Sequence, residues 1–545
     1  MSNLREVVRG ILQREVVRKG SGWNVLVVDA EASKVLTPVL GMYDLMEEHV
    51  SLVESLEKRR QPFTEMGVIY VAAPSDKSVK AIAADWKGRD APYAEAHVFF
   101  LSKVSEAQMS ALALPELTPR LKSFAELNLD FLAVESQVFV AADVAKLATV
   151  CATLGDLSPK IRYRGEVAKA AAYALRDELK GPGGDLTVLV LDRMDDVMTP
   201  LMHEYTYQAM IQDVLAVEGD ARDRVSYGKT TKSGESKDVA ILSDKDALWL
   251  ELRHEHIARV IDSLRAKTTE FLSHNSAAAL SRGEDMSLGD MASALKKLPE
   301  FQAATAALNK HMSIAHECLT EFHKHKLLDA SRLEQTLVTG KDEDGETVSP
   351  NAVFDDVAAF AKIGNDHAVR LACSYLFAKG GRIGESERAK LQNLPQDTLI
   401  TFANHMADRG TPLHADAKKL EPKKKKSSAF SIFKKTKEVD ISESRYVPPL
   451  KTILEALVDD KLSYDTYPQI GGRKTPAKQP AQSARKANKK ATFSGPKFLV
   501  CVLGGCAYSE MKAAYDVSNA TNRLVLLGGT RLLTPSTFLS HLSNS

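Results

Sequence analysis

Phe498–Leu503 (FLVCVL) and Arg523–Leu527 (RLVLL), with a helical pattern near Ser509–Val517 between them, stand near the end of a chain of 545 residues. They read as strand, helix, strand, too few for a sheet of their own. The matching half lies far upstream. There a helical Val144–Leu154, the strand Leu186–Leu191 and a helix near Glu204–Leu215 begin an α/β pattern and stop before a sheet is complete. Strands joined through helices must cross over into a parallel sheet. Pairing the two ends gives one discontinuous α/β domain, 129–244 and 467–545, interrupted by everything between.

The first 140 residues alternate strands and helices independently. Asn24–Ala30 (NVLVVDA), Gly67–Ala73 (GVIYVAA), Ala96–Leu101 (AHVFFL) and Leu129–Val140 (LDFLAVESQVFV) are short, Val-, Ile- and Phe-rich strands. Tyr43–Arg60 sets Leu45, Met46, His49, Leu52, Val53 and Leu56 at helical spacing, and Ser75 reads as the N-cap of a helix running to Trp86. An open α/β domain over 1–128 is expected. The interruption, 245–466, is mainly helical, with a projecting hairpin at about 286–338. Within it Met286–Lys297 meets Pro299, and Phe301, Ala304, Leu308, Met312, Ala315, Leu319 and Phe322 resume the period. Proline suits a first helical turn and ends or kinks what precedes it.

Lys plus Arg number 72 against 71 Asp plus Glu, a formal charge of +1, which excludes a nucleic-acid binder relying on overall charge. With 44% hydrophobic and 26% charged residues the composition is that of an ordinary globular protein. No apolar run is long enough to span a bilayer, and the charged N-terminus lacks a secretory core, so a cytoplasmic location is expected. Cys151, Cys318, Cys373, Cys501 and Cys506 show no paired spacing and read as reduced, buried thiols. Two basic segments, 418–437 and 473–497, hold 17 Lys and Arg against one acid and read as flexible loops, leaving 55 basic against 70 acidic residues elsewhere.

Catalytic fingerprints fail. Gly181-Pro182-Gly183-Gly184 precedes a strand instead of following one, and Gly228-Lys229-Thr230 lacks the earlier glycine of a phosphate loop and reads as a surface loop. His254-Glu255-His256, inside an expected helix Leu248–Leu264, has Ala at position 258 where a zinc motif needs His, and reads as a solvated face. No metal, cofactor or catalytic residue is expected.

Leu191–Leu215 (LDRMDDVMTPLMHEYTYQAMIQDVL) resembles the signature of the SM family, the Sec/Munc-type syntaxin-binding proteins of SNARE-mediated fusion. Trp23–Asp29 (WNVLVVD), Glu57–Pro62 (EKRRQP), Val134–Phe139 (VESQVF), Leu252–Ile257 (LRHEHI), Leu503–Ala514 (LGGCAYSEMKAA) and Gly528–Leu539 (GGTRLLTPSTFL) extend the resemblance over nearly the whole chain. Ala294–Gln302 (ALKKLPEFQ) and Ser444–Pro468 (SRYVPPLKTILEALVDDKLSYDTYP) are most similar to the exocytic, plasma-membrane branch. The resemblance implies an α/β fold with a large mainly α-helical domain, a three-domain arch whose second α/β domain is discontinuous. It implies a non-catalytic clasp for a syntaxin four-helix bundle that also templates assembly with a synaptobrevin-like SNARE.

By the same resemblance, Asp29, Lys34, Glu54, Lys58, Arg59 and Arg60 line the cavity against syntaxin, while Gly41 stands where the branch often has Lys. Read alone, Glu54 and Lys58–Arg60 are a solvated helix end. Val104, Met109, Leu121, Phe124 and Glu126 match a pocket for the extreme N-terminal peptide of syntaxin, with Met109 in place of a more usual Phe. Read alone, Leu121 and Phe124 are helix core. Pro299 matches the hinge of the hairpin, and Met312 its partner-facing side. The alternatives are an SM protein of another trafficking step, an α/β nucleotide-dependent transferase, or a lipid-binding lysine run with Phe430 and Phe433 as anchors.

Overall fold

The structure is a computed structural model that describes residues 3–88, 91–219, 223–231, 234–274, 288–421, 444–472 and 493–543. The basic segments expected as loops lie outside the described residues except at their ends: Lys418–Leu420 close the helix Pro412–Leu420, and Lys497 opens a strand. Two compact units emerge. One is Met1–Arg193 with Ile453–Cys506 and Ala513–Leu532; the other is Met194–Thr452 with Ala507–Lys512 and Leu533–Ser545.

The first unit holds two sheets. In the first, β1 (Asn24–Val28), β2 (Val50–Ser55), β3 (Gly67–Ala72), β4 (Ala96–Phe100) and β5 (Leu121–Glu126) run parallel in the order β2-β1-β3-β4-β5. The three inner strands are buried at every position, hence their unbroken apolar runs. Both edges correct the sequence reading. The expected helix Tyr43–Arg60 is a short helix, Met42–Glu47, followed by β2. His49, at φ 64°, turns the chain between them, and the β-branched, alternating VSLVES then pairs with β1. Leu121 and Phe124 likewise sit on edge strand β5, not in a helix.

The second sheet contains β6 (Leu132–Glu135), β7 (Val138–Val140), β8 (Lys160–Tyr163), β9 (Leu186–Asp192), β13 (Gln469–Ile470), β14 (Lys497–Leu503) and β16 (Val525–Gly529), in the order β13-β8-β9-β14-β16-β7-β6. Three further strands, β10 (Val217–Glu218), β11 (Arg224–Thr231) and β12 (Gly234–Ile241), lie outside this sheet, as does the two-residue β15 (Cys506–Ala507). The expected joining of the two chain ends is literal: Lys497–Leu503 pairs residue for residue with Leu186–Asp192 and on its other side with β16. Gly528 and Gly529 permit this, because a Cβ would lie 2.5 Å from the Phe139 carbonyl at one and 2.5 Å from the Val502 carbonyl at the other. Leu129–Val140, read as one strand, is the antiparallel pair β6–β7. One apolar cluster runs from Leu26 and Ile69 to Val188, Leu499 and Leu526, so the two expected α/β domains share one unit.

Arg162, fully buried on β8, ties the returning segment down. Its Nε and Nη2 donate to the carbonyls of Tyr467, Leu462 and Ser463 at 2.9–3.1 Å, and its guanidinium lies 4.3 Å from the centre of the Tyr464 ring. Arg162→Leu orphans these carbonyls, and a loss of about 3 kcal/mol is expected in urea unfolding.

The second unit is mainly helical, with β10–β12 as a small antiparallel sheet. Gly228-Lys229-Thr230 is on β11 rather than in a loop, and the Gly228 N–H donates to Glu317 at 2.6 Å. The expected helix Leu248–Leu264 is two, Ala247–Leu252 and Ile257–His274. At the break the carbonyls of Arg253 and Glu255 accept from Gln208 and Tyr207, and the Ile257 N–H donates to Tyr205, so the broken turn binds the signature segment. The segment expected as a hairpin at about 286–338 holds the helices Leu288–Lys324 and Leu327–Thr339, and Leu288–Lys324 also packs on Ile257–His274. Leu288–Lys324 is one helix of 37 residues, ~55 Å long, that passes through Pro299 without ending. All five cysteines are buried, and none forms a disulfide. Among the described residues no helix is long and apolar enough to cross a membrane.

Candidate functional site

The charged set expected to face syntaxin divides in two. Asp29 is buried: it caps the helix Ala30–Leu36 through the Ala32 N–H at 2.8 Å and accepts from the Ala73 N–H and the Ser78 hydroxyl at 2.8 and 2.7 Å. It therefore locks the ends of β1 and β3 to the helix Asp76–Asp85 instead of facing outward. Arg60 also turns inward, donating to the Ser55, Leu56 and Lys58 carbonyls at 2.8–2.9 Å and gripping both oxygens of Asp85 at 2.6 and 2.5 Å. Lys34 pairs with Glu31 at the surface, and Glu54 is half-buried on β2. Lys58 and Arg59 are exposed on the turn after β2 and have no ion pair among the described residues. The helix end expected for Glu54–Arg60 is thus a strand and a turn.

The second set comes together at the opposite edge of the first sheet. Val104 and Leu121 are half-buried against the core under β4, while Phe124 on β5 and Met109 on the helix Glu106–Leu112 are 37% and 44% exposed. Phe124 packs on Phe100 with ring centroids 5.9 Å apart. The Glu126 carboxylate accepts from the Val104 N–H at 2.8 Å, which fixes the loop between β4 and the helix. Val104, Leu121 and Phe124 thus form an apolar strip along this edge, with the Glu126 carboxylate beside it.

In the second unit Pro299 is exposed within the long helix, two residues before Phe301, whose ring stacks on that of Phe271 at 5.2 Å and 12°. Met312 is half-buried and packs on the unit's own core.

The signature segment is occupied with internal work that its sequence only partly discloses. His203 Nδ1 lies 2.8 Å from Glu334, its N–H donates to the same carboxylate at 3.0 Å, and its Nε2 lies 2.9 Å from His367. Arg370 grips Asp213 at 2.8 and 2.9 Å and donates to the Leu201 carbonyl at 2.7 Å. Burial, then the Arg370 charge, holds His203 well below its ordinary value. Burial raises Glu334 to about 7. Burial, then Glu334 and Asp213, pushes Glu204 up to about 8. Glu334, His367 and Arg370 escaped the sequence reading because they lie more than a hundred residues from the signature, on helices whose pattern shows only apolar periodicity.

A raised carboxyl means that the folded chain holds its proton more tightly than the unfolded one. That stability is full below the ordinary value of 4.5 and is lost as pH rises through about 8. Glu204→Gln, which mimics the protonated acid, is expected to show a smaller fall in urea midpoint than the parent between about pH 6 and pH 9.

Residues 24–541 match the Sec1 family, and the chain belongs to it. It is 28% identical over 609 aligned positions to the protein transport protein sec1 of Dictyostelium discoideum, covering 99% of both chains. It is 27% identical to the SNARE-interacting protein KEULE of Arabidopsis thaliana, covering 99% of this chain and 95% of that one. Its fold is similar to that in the crystal structure of the Unc18–syntaxin 1 complex from Monosiga brevicollis, with TM-score 0.78 and 24% identity over 100% and 99% of the two chains.

Proposed function

We propose that this protein is an SM-type regulator of vesicle docking and fusion in exocytosis, which clasps a syntaxin-type SNARE and regulates or templates SNARE complex assembly. The observation that carries this reading is membership of the Sec1 family along almost the whole chain. It acts by binding, without catalysis, cofactor or nucleic acid. The protein is cytoplasmic and peripheral at the plasma membrane through its syntaxin, the step supported by the Sec1 names of its relatives and the similarity at Ala294–Gln302.

Two surfaces of the first unit support it. Lys58 and Arg59 give an exposed basic turn for acidic residues of a helical bundle, with Glu54 just before it on β2, Lys34 on the helix Ala30–Leu36, and Asp29 and Arg60 acting from within. Charges of this kind set register and association rate more than bulk affinity. The strip of Val104, Met109, Leu121, Phe124 and Glu126 supports an N-peptide mode. The deciding experiment is calorimetric titration against full-length, N-peptide-deleted and SNARE-motif-only syntaxins; failure to retain any of them removes the reading. Lys58→Glu with Arg59→Glu is expected to slow association with the full-length form about tenfold at low salt, an effect that fades as salt rises. Phe124→Asp should abolish the difference between full-length and N-peptide-deleted syntaxin while leaving bundle binding intact.

Pro299 supplies the third element. The helix already runs through it, so the residue acts as a weak point rather than a stop. A proline inside a helix removes one hydrogen bond and costs about 3 kcal/mol against alanine. Pro299→Ala is expected to slow amide exchange around Leu298–Phe301 and to raise binding of a synaptobrevin-like SNARE; unchanged values for both count against the hinge.

A further inference from the structure

The turn Ser55–Arg60 leaves β2 carrying two exposed cations, Lys58 and Arg59, and the half that carries them is held by a third. Arg60 takes three of the turn's own carbonyls on Nη1 and gives Nη2 to both oxygens of Asp85, the last residue of the helix Asp76–Asp85. The pair is nearly closed to water, at 6% exposure for the Arg60 side chain and 21% for Asp85. The Tyr70 hydroxyl donates to the same carboxylate at 2.8 Å. The Tyr93 ring stands 6.5 Å from Tyr70 and 6.3 Å from Trp86, walling the cluster. Burial, then the Asp85 charge, pushes the Tyr93 phenol up to about 12, so it stays neutral beside the pair at any physiological pH. Glu54 Oε2, Arg60 Nε and Trp86 Nε1 are buried without a hydrogen-bond partner. None of these atoms anchors the turn. Its first half is tied by the Leu56 N–H to the Val28 carbonyl and by the Glu57 carboxylate to the Ala30 N–H at 3.1 Å, and its second half, Lys58–Arg60, is tied through Arg60 to Asp85.

We infer that Asp85 is a positioning residue for partner recognition: acting through Arg60, it sets the turn so that Lys58 and Arg59 are presented in one geometry to carboxylates on a helical partner. The inference rests on the syntaxin-binding reading and deepens it by naming what orients the two cations. The planar guanidinium is suited to this. It satisfies a bidentate carboxylate and a set of carbonyls at once, which a lysine ammonium cannot do in the same geometry. A turn ordered before encounter also spares the partner the entropic cost of ordering two long side chains on binding.

The test uses the full chain and a full-length syntaxin, read by calorimetry, amide exchange and thermal unfolding. Asp85→Asn keeps the volume but removes the charge and one acceptor. Its affinity is expected to fall about tenfold, with faster exchange across Ser55–Arg60. The readout that separates positioning from general stability is a double-mutant cycle. Once Lys58→Ala and Arg59→Ala have removed the cations, adding Asp85→Asn is expected to cost nothing more; additive losses overturn the inference. Arg60→Lys is the second variant, should Asp85→Asn fail to fold, and is expected to show the same loss and the same non-additivity. A parent chain that binds syntaxin while Asp85→Asn and Arg60→Lys bind as tightly overturns the inference alone. A parent chain that retains no syntaxin overturns the functional reading and the inference with it.

Discussion

The pairing of Lys497–Leu503 with Leu186–Asp192 is the constraint on which the first unit depends. The strand from the far end of the chain is not added at an edge but lies inside the sheet, with β9 on one side and β16 on the other. The chain therefore leaves the sheet after Asp192 and returns to it first at the edge strand β13 and then at β14. The return is secured by Arg162, whose donors satisfy carbonyls around Leu462–Tyr467 that would otherwise be buried without partners. The paired glycines Gly528 and Gly529 then allow β16 to approach its neighbours, where any side chain would meet backbone oxygen.

How much of this was legible follows from where the physical signal resides. Inner strands such as NVLVV and GVIYVA are apolar on both faces, and a run of that kind is readable without knowing its partners. Edge strands are not. VSLVES and LKSFAE mix apolar and polar residues, and their apolar residues also fit a helical wheel. At Val50–Ser55 the difference was made by the left-handed His49 and by pairing with β1, neither of which local sequence reveals. The discontinuous sheet was legible because strands in excess at one end matched a deficit at the other. The merging of two expected domains into one unit was not, because it depends on a shared core running across both sheets.

The candidate site divides along the same line. Residue type correctly marks Lys58 and Arg59 as surface groups, whereas Phe124, which reads alone as helix core, stands partly exposed on an edge strand. It is misleading at Asp29 and Arg60, where charge suggests a partner and the geometry shows a cap and a clamp. The signature behaves in the same way. His203, Tyr205 and Tyr207 are a long motif because each is bound at several points to distant helices and to the broken turn after Leu252, so their identity reflects internal obligations as much as recognition.

The placement of β14 also sets a timetable. A ribosome adds about 5–20 residues per second, so β9 waits on the order of tens of seconds for the strand that covers it. Until then the nascent chain offers an apolar, unpaired flank of exactly the kind that other strands join. The helical unit is also incomplete in that interval, because Leu533, Phe538, Leu539 and Leu542 of its core follow β14. Chain order therefore leaves one flank of β9 without its folded-state neighbour until the last tenth of the chain is made.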